Sequence, residues 1–151
     1  MLVRRFLTWS LTASAGDRAD AASALARAWL YGDLSPEDQR EADVAMTTLL
    51  DDPSPLVRRA LAEAVAGAAD APRHLALALA SDQSDVAAIV LTRSMALRDS
   101  DLIDCAAIGD AFAQAAIALR PRLSSAVSAA IAEIGAREAL IALAVNSGAD
   151  I

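Results

Sequence analysis

Apolar residues recur along this chain at steps of three and four, broken at short intervals by Gly, Pro, Asp or Ser. The pattern predicts ten helices, near residues 2–13, 17–31, 36–50, 55–68, 72–80, 85–94, 100–107, 110–119, 124–134 and 137–146. No stretch alternates apolar and polar positions long enough to predict a strand. The helix punctuation has a physical basis. Asp17 is the expected cap of the second helix and Gly32 its stop. Ser35-Pro36-Glu37-Asp38 opens the third with a cap, a proline that needs no amide donor, and two acids at the positive helix end. Ser54 is expected to cap the fourth helix ahead of Pro55, with Val57, Leu61, Ala64 and Val65 sharing one face. Gly109-Asp110, Gly135-Ala136 and Ser147-Gly148 mark later breaks. Val57, Leu61, Val65, Val86, Val90, Val127, Ile131 and Leu143 are the expected members of one continuous core.

The helical pattern repeats. Ser54, Val57 and Leu61 recur with identical spacing as Ser124, Val127 and Ile131, and more loosely as Ser84, Val86 and Val90. Ser54 to Ser84 is a step of 30 residues, shorter than the roughly 40 to 47 of ordinary HEAT and armadillo repeats. Short helical units that cannot bury their apolar faces alone bury them against neighbours. The expectation is an all-α fold, a right-handed α-solenoid of short HEAT-like hairpins with about ten helices. It reads as a single domain over residues 1–151, or as the N-terminal part of a longer protein.

Composition sharpens this picture. Hydrophobic residues make up 56% of the 151 positions but aromatics only 3%, so Ala, Leu, Val and Ile carry the core and the helices approach closely. Ala is the strongest helix former. The net charge is −7, from 20 acidic and 13 basic residues, with every basic side chain an arginine. Such a chain repels phosphate on average, which argues against nucleic-acid and anionic-membrane partners. At the N-terminus Arg4-Arg5 and the following apolar residues imitate an export signal, but Thr8, Ser10 and Thr12 interrupt the apolar run. Leu2, Phe6 and Trp9 instead lie at helical spacing. No run reaches the ~18 apolar residues of a membrane span, so the expected location is cytoplasmic, with no membrane partner.

Chemical constellations are sparse. Cys105 is the single cysteine, between apolar neighbours, and reads as a small core residue rather than a nucleophile. His74 is the single histidine and follows Pro72 at a helix start, where it reads as a surface residue; no metal and no cofactor are expected. Glycine loops for phosphate and nucleophile elbows do not occur. The acidic pairs Glu37-Asp38, Asp51-Asp52 and Asp99 with Asp101 stand at predicted helix starts, where capping accounts for them. No catalytic residue is expected.

The residues resemble the alphaproteobacterial HEAT-like proteins classed as a domain of unknown function. The resemblance is carried by residues 49–63 (Leu49 to Glu63), Ala71-Pro72, Leu77 to Ala80 with Asp82, Val86-Ala87, Val90-Leu91, Asp101-Leu102, Gln114 to Ala118 with Arg120, and Asn146 to Ala149. It implies a fold and no assigned reaction. In HEAT repeats a turn Asp and an Arg just inside the second helix tie neighbours together, so the resemblance also implies a structural ladder of Asp52 and Arg58, partnered either directly or through the backbone of the turn. The expected function is a non-catalytic protein-interaction or scaffold module. Its partner would be an unidentified protein or a second copy, bound through exposed charges among Arg59, Arg73, His74, Arg93 and Arg122. A HEAT-like enzyme such as a DNA alkyl-base glycosylase or a bilin lyase is the alternative; a glycosylase would need a basic groove with aromatics, which the composition disfavours.

Overall fold

The computed structural model describes residues 2–151, with the side chain of Leu2 outside the description, so its expected place on an apolar face with Phe6 and Trp9 is not assigned. The described residues form ten helices: α1 (Leu2–Ser10), α2 (Ala15–Tyr31), α3 (Pro36–Leu49), α4 (Pro55–Ala66), α5 (Arg73–Ala80), α6 (Ser84–Arg93), α7 (Asp99–Ile108), α8 (Ala111–Ala118), α9 (Ser125–Ile134) and α10 (Arg137–Val145). Extended pairing among these residues is limited to one parallel bridge, Leu123 with Ala149.

The caps explain most boundaries and correct two of the sequence expectations. Ser35 and Ser124 accept from the amides of Asp38 and Val127, as helix N-caps do. For α2 the cap is Ser14, which accepts from the Asp17 amide, so the helix starts two residues earlier than expected and Asp17 sits in its first turn. Ser54 occupies the N-cap of α4 but its hydroxyl makes no capping bond. Instead its own amide donates to Asp52 Oδ1 at 2.9 Å. The looser copy of the pattern is now explained, because the N-cap of α6 is Gln83 and Ser84 is the first helical residue. Aligning caps places Val86 and Val90 where α4 has Val57 and Leu61, at a step of 29 residues.

Even-numbered helices form a continuous row: α2 packs on α4, α4 on α6, α6 on α8, and α8 on α10. Odd-numbered helices lie against this row, with α5 on α6, α7 on α8, and α9 on α10. The core is divided, which corrects the expectation of a single one. Val57, Leu61, Val65, Val86 and Val90 belong to a first cluster, whereas Val127, Ile131 and Leu143 belong to a second. The wall between them is α6. Val86, Ile89 and Val90 face the first cluster, Ala87 and Leu91 the second.

The tail after α10 closes on the α8–α9 turn. Leu123 donates to the Gly148 carbonyl at 3.0 Å and Asp150 donates to Leu123 at 2.9 Å. A Cβ at Gly148 would stand 1.8 Å from the Pro121 carbonyl oxygen, so only glycine allows this approach.

Candidate interaction surface and the cavity between α6 and α8

Polar side chains at the fourth helical position of α2, α4 and α8 tie each to the next even helix. In α2 this residue is Arg18: its Nε and Nη2 fork onto Asp52 at 2.8 and 3.1 Å, and its Nη1 reaches back to the Ala13 carbonyl at 2.7 Å. In α4 it is Arg58, which forks onto Asp82 at 2.7 and 3.2 Å while Nη1 reaches back to the Asp52 carbonyl at 2.6 Å. Each arginine therefore needs two kinds of acceptor, a carbonyl in the turn before its own helix and a carboxylate in the turn before the next even helix. The receiving aspartates also accept from the N-cap amides of Ser54 and Gln83. Asp52 and Arg58 thus meet through the Asp52 backbone, while their side-chain charges pair with Arg18 and Asp82. Burial pushes the Asp52 carboxyl up, but the Arg18 bonds, the Ser54 amide and the charges of Arg18 and Arg58 outweigh it and hold the group below the usual aspartate range.

In α8 the fourth position is Gln114, a buried amide that donates to the Ala106 carbonyl at 3.1 Å and accepts from the Ala136 amide at 2.9 Å. It performs the same tie, back to a carbonyl and forward to the turn before α10, without charge. In α6 the position is Ala87. The series along the row is Arg18, Arg58, Ala87, Gln114, so the tie is missing between α6 and α8.

A cavity of about 280 Å³ lies there. One wall comes from Ala80, Ser81 and Asp82 before α6, and the other from Ile108, Gly109 and Asp110 before α8; Ala87, Leu91 and Cys105 are among the residues between. Phe112 and Ile108 stand beside it with 54% and 84% of their surface exposed. Cys105, expected in the core, is half-buried on this cavity, and burial together with the charges of Asp101 and Asp104 pushes its thiol up, away from thiolate reactivity.

The sequence-designated residues fall in separate places. Arg59 is exposed on α4. Arg73 forks onto Asp101 of α7 at 2.9 and 2.5 Å, and those bonds, with the Arg98 amide, hold Asp101 below the usual carboxylate range against its burial. His74, one residue on, turns the other way and meets Asp43 at 3.0 Å and Thr47 at 3.2 Å on α3. Arg93 pairs with Glu63 of α4 at 2.8 Å, both well exposed. Arg122 is exposed in the α8–α9 turn. No hydrogen bond or ion pair joins any two of the five among the described residues.

Three polar groups with large structural roles lacked assigned partners from sequence. Arg120 is 9% exposed and donates to the carbonyls of Leu91 at 2.7 Å and Ser94 at 2.5 Å, at the C-terminal end of α6. Burial pushes its pKa down, against the opposing charge of Asp99. Asn146 donates to the carbonyls of Ala118 and Arg120, both at 2.8 Å, and accepts from the Gly148 amide. Gln114 is the third. Its signal was available: it stands four places after the Asp110 cap, as Arg18 and Arg58 stand four after Ser14 and Ser54. Among the described residues the one buried side-chain polar atom without a partner is Ser128 Oγ.

Residues 86–151 match a bacterial family described as an uncharacterised protein conserved in bacteria (DUF2336). The chain is similar to that family over just under half its length, from α6 to the tail that closes on the α8–α9 turn. No curated protein matches the chain, and no solved structure does. No helix among the described residues is long and apolar enough to cross a membrane.

Proposed function

We propose that this protein is a right-handed stack of HEAT-like helical hairpins acting as a non-catalytic protein-interaction or scaffold module, akin to the alphaproteobacterial HEAT-like proteins it resembles. The continuous row of even helices and the 29-residue step between α4 and α6 support the repeat reading. The observation that carries the function is the pair Ile108 and Phe112, large apolar side chains held in the open on either side of the α7–α8 turn and beside a cavity. Covering apolar surface yields about 25 cal/mol per Å², and exposed apolar groups rimmed by polar ones mark interaction sites. The charges around them, Asp82 and Asp110, set register and partner choice.

The test is a comparison of the native protein with an Ile108→Ser, Phe112→Ser double variant of equal thermal stability, each used to capture partners from native bacterial extract. The expected outcome is loss of the captured set with the double variant. Recovery of the same partners in the same amounts would reject this surface.

A further inference from the structure

The cavity between α6 and α8 has the form of an incomplete arginine tie. At both preceding positions along the row an arginine at the fourth helical position joins the turn before its own helix to a carboxylate in the turn ahead. At α6 the segment before the helix, Ala80 to Asp82, lines the cavity, and so does the carboxylate of Asp110, which is the N-cap of α8 itself where Asp52 and Asp82 stand just ahead of their caps; residue 87 is an alanine, 6% exposed, whose methyl cannot reach either. Asp110 Oδ1 accepts from the Ala113 amide at 2.9 Å, and the carboxylate makes no ion pair among the described residues. Asp82 lies on the opposite wall with its carboxylate already shared with Arg58. Between these polar ends the lining is apolar, from Ala87, Leu91 and Ala113, with the Phe112 ring at the side. A carbon stem ending in a planar cation fits this order of surfaces: apolar contact for the stem, a carboxylate for the fork, an aromatic face for the cation.

We propose that this cavity receives an arginine side chain of a basic partner polypeptide, which supplies from outside the tie that Ala87 leaves open. Charge selects the partner. A chain of net charge −7 repels its own copies and attracts a basic polypeptide. The proposal rests on the interaction reading above and narrows it to one anchoring side chain.

The test is amide NMR on the full isotope-labelled chain, titrated with the peptide acetyl-Gly-Arg-Gly-amide and with the same peptide carrying citrulline, which has arginine's shape without its charge. Arginine is expected to give saturable shifts, in the millimolar range typical of about one anchored side chain, confined to amides such as those of Ser84, Ala87, Gly109 and Ala113. Citrulline should bind at least about tenfold more weakly. Asp110→Asn, which keeps a good helix cap, should weaken the arginine peptide about tenfold, and Ala87→Arg, which fills the cavity from within, should abolish its shifts. Absence of localised shifts, equal binding of citrulline, or unaltered binding to Asp110→Asn would overturn the proposal, whether or not Ala87→Arg folds. Shifts at these amides that grow with protein concentration without peptide would identify a second copy as the occupant and also overturn it. Loss of captured partners in the Ile108, Phe112 variant without arginine binding would leave the interaction surface standing and remove only its arginine anchor.

Discussion

The helices on either side of α6 are held together by different chemistry. From α2 to α6 the ties are arginine–aspartate forks, Arg18 on Asp52 and Arg58 on Asp82, and a further fork from Arg73 crosses to Asp101. From α6 to α10 they are bonds to backbone carbonyls and amides from Arg120, Gln114 and Asn146. Forks between opposite charges exist only while both groups are ionised, and salt screens them. Carbonyl bonds from an amide do not depend on pH. One row of helices thus contains a charge-dependent segment and a segment whose ties are mostly indifferent to charge, and the bacterial family match covers the second.

The largest expected effect tests whether α6 makes one unit of the two. Leu61 is fully buried in the first cluster, and Leu61→Ala should cost about 2 to 5 kcal/mol. Trp9 and Trp29 both lie in the first half, so tryptophan fluorescence follows that half alone while circular dichroism follows all helices. With α6 as a shared wall, both signals should shift to the same lower midpoint in denaturant. Separate midpoints would show two independently unfolding segments.

A somewhat smaller loss is expected for Arg120→Ala, about 3 kcal/mol, because it strips the carbonyls of Leu91 and Ser94 of their donor inside a closed site. Salt should leave this loss nearly unchanged, since the acceptors carry no formal charge. A loss that shrinks strongly in salt would place Arg120 with the forks.

The smallest effect concerns acid. Asp52 and Asp101 are held below the usual aspartate value of about 3.9. A carboxylate with a depressed folded pKa contributes stability that is present above the unfolded value and is lost as pH falls through the folded one. Stability should therefore decline below about pH 4, and Asp52→Asn should be less stable than the native chain at neutral pH yet converge on it in strong acid. Equal stability of the two proteins at pH 7 would remove Asp52 from the fork.

Helix positions were legible because short-range chemistry marks them: Ser35-Pro36 opens α3, and the apolar spacing in α4 fits a single buried face. Partners across helices were less legible. Asp52 and Arg58, six residues apart, meet through the Asp52 carbonyl, but the charge that meets the Asp52 carboxylate comes from Arg18, 34 residues away, and the Arg58 fork finds Asp82. The division of the core was hidden for a similar reason, since Val90 and Leu91 are neighbours in sequence and face opposite clusters. The cavity became visible only once the caps aligned Ala87 with Arg18 and Arg58, an alignment that Ser84 obscured by one position.

The closure of the tail on the α8–α9 turn bears on the order in which the chain can fold as it is synthesised. Arg18 finds Asp52 once 34 further residues have emerged, and Arg58 finds Asp82 after 24, so the early helices can dock while later ones are still being made. The carbonyls of Ala118 and Arg120 wait for Asn146, and the narrow passage beside Pro121 waits for Gly148. The turn that carries Arg120 toward the end of α6 therefore gains its final support only when residues 146–149 arrive, and a nascent chain stopped before them would hold a settled front half and an unsecured rear.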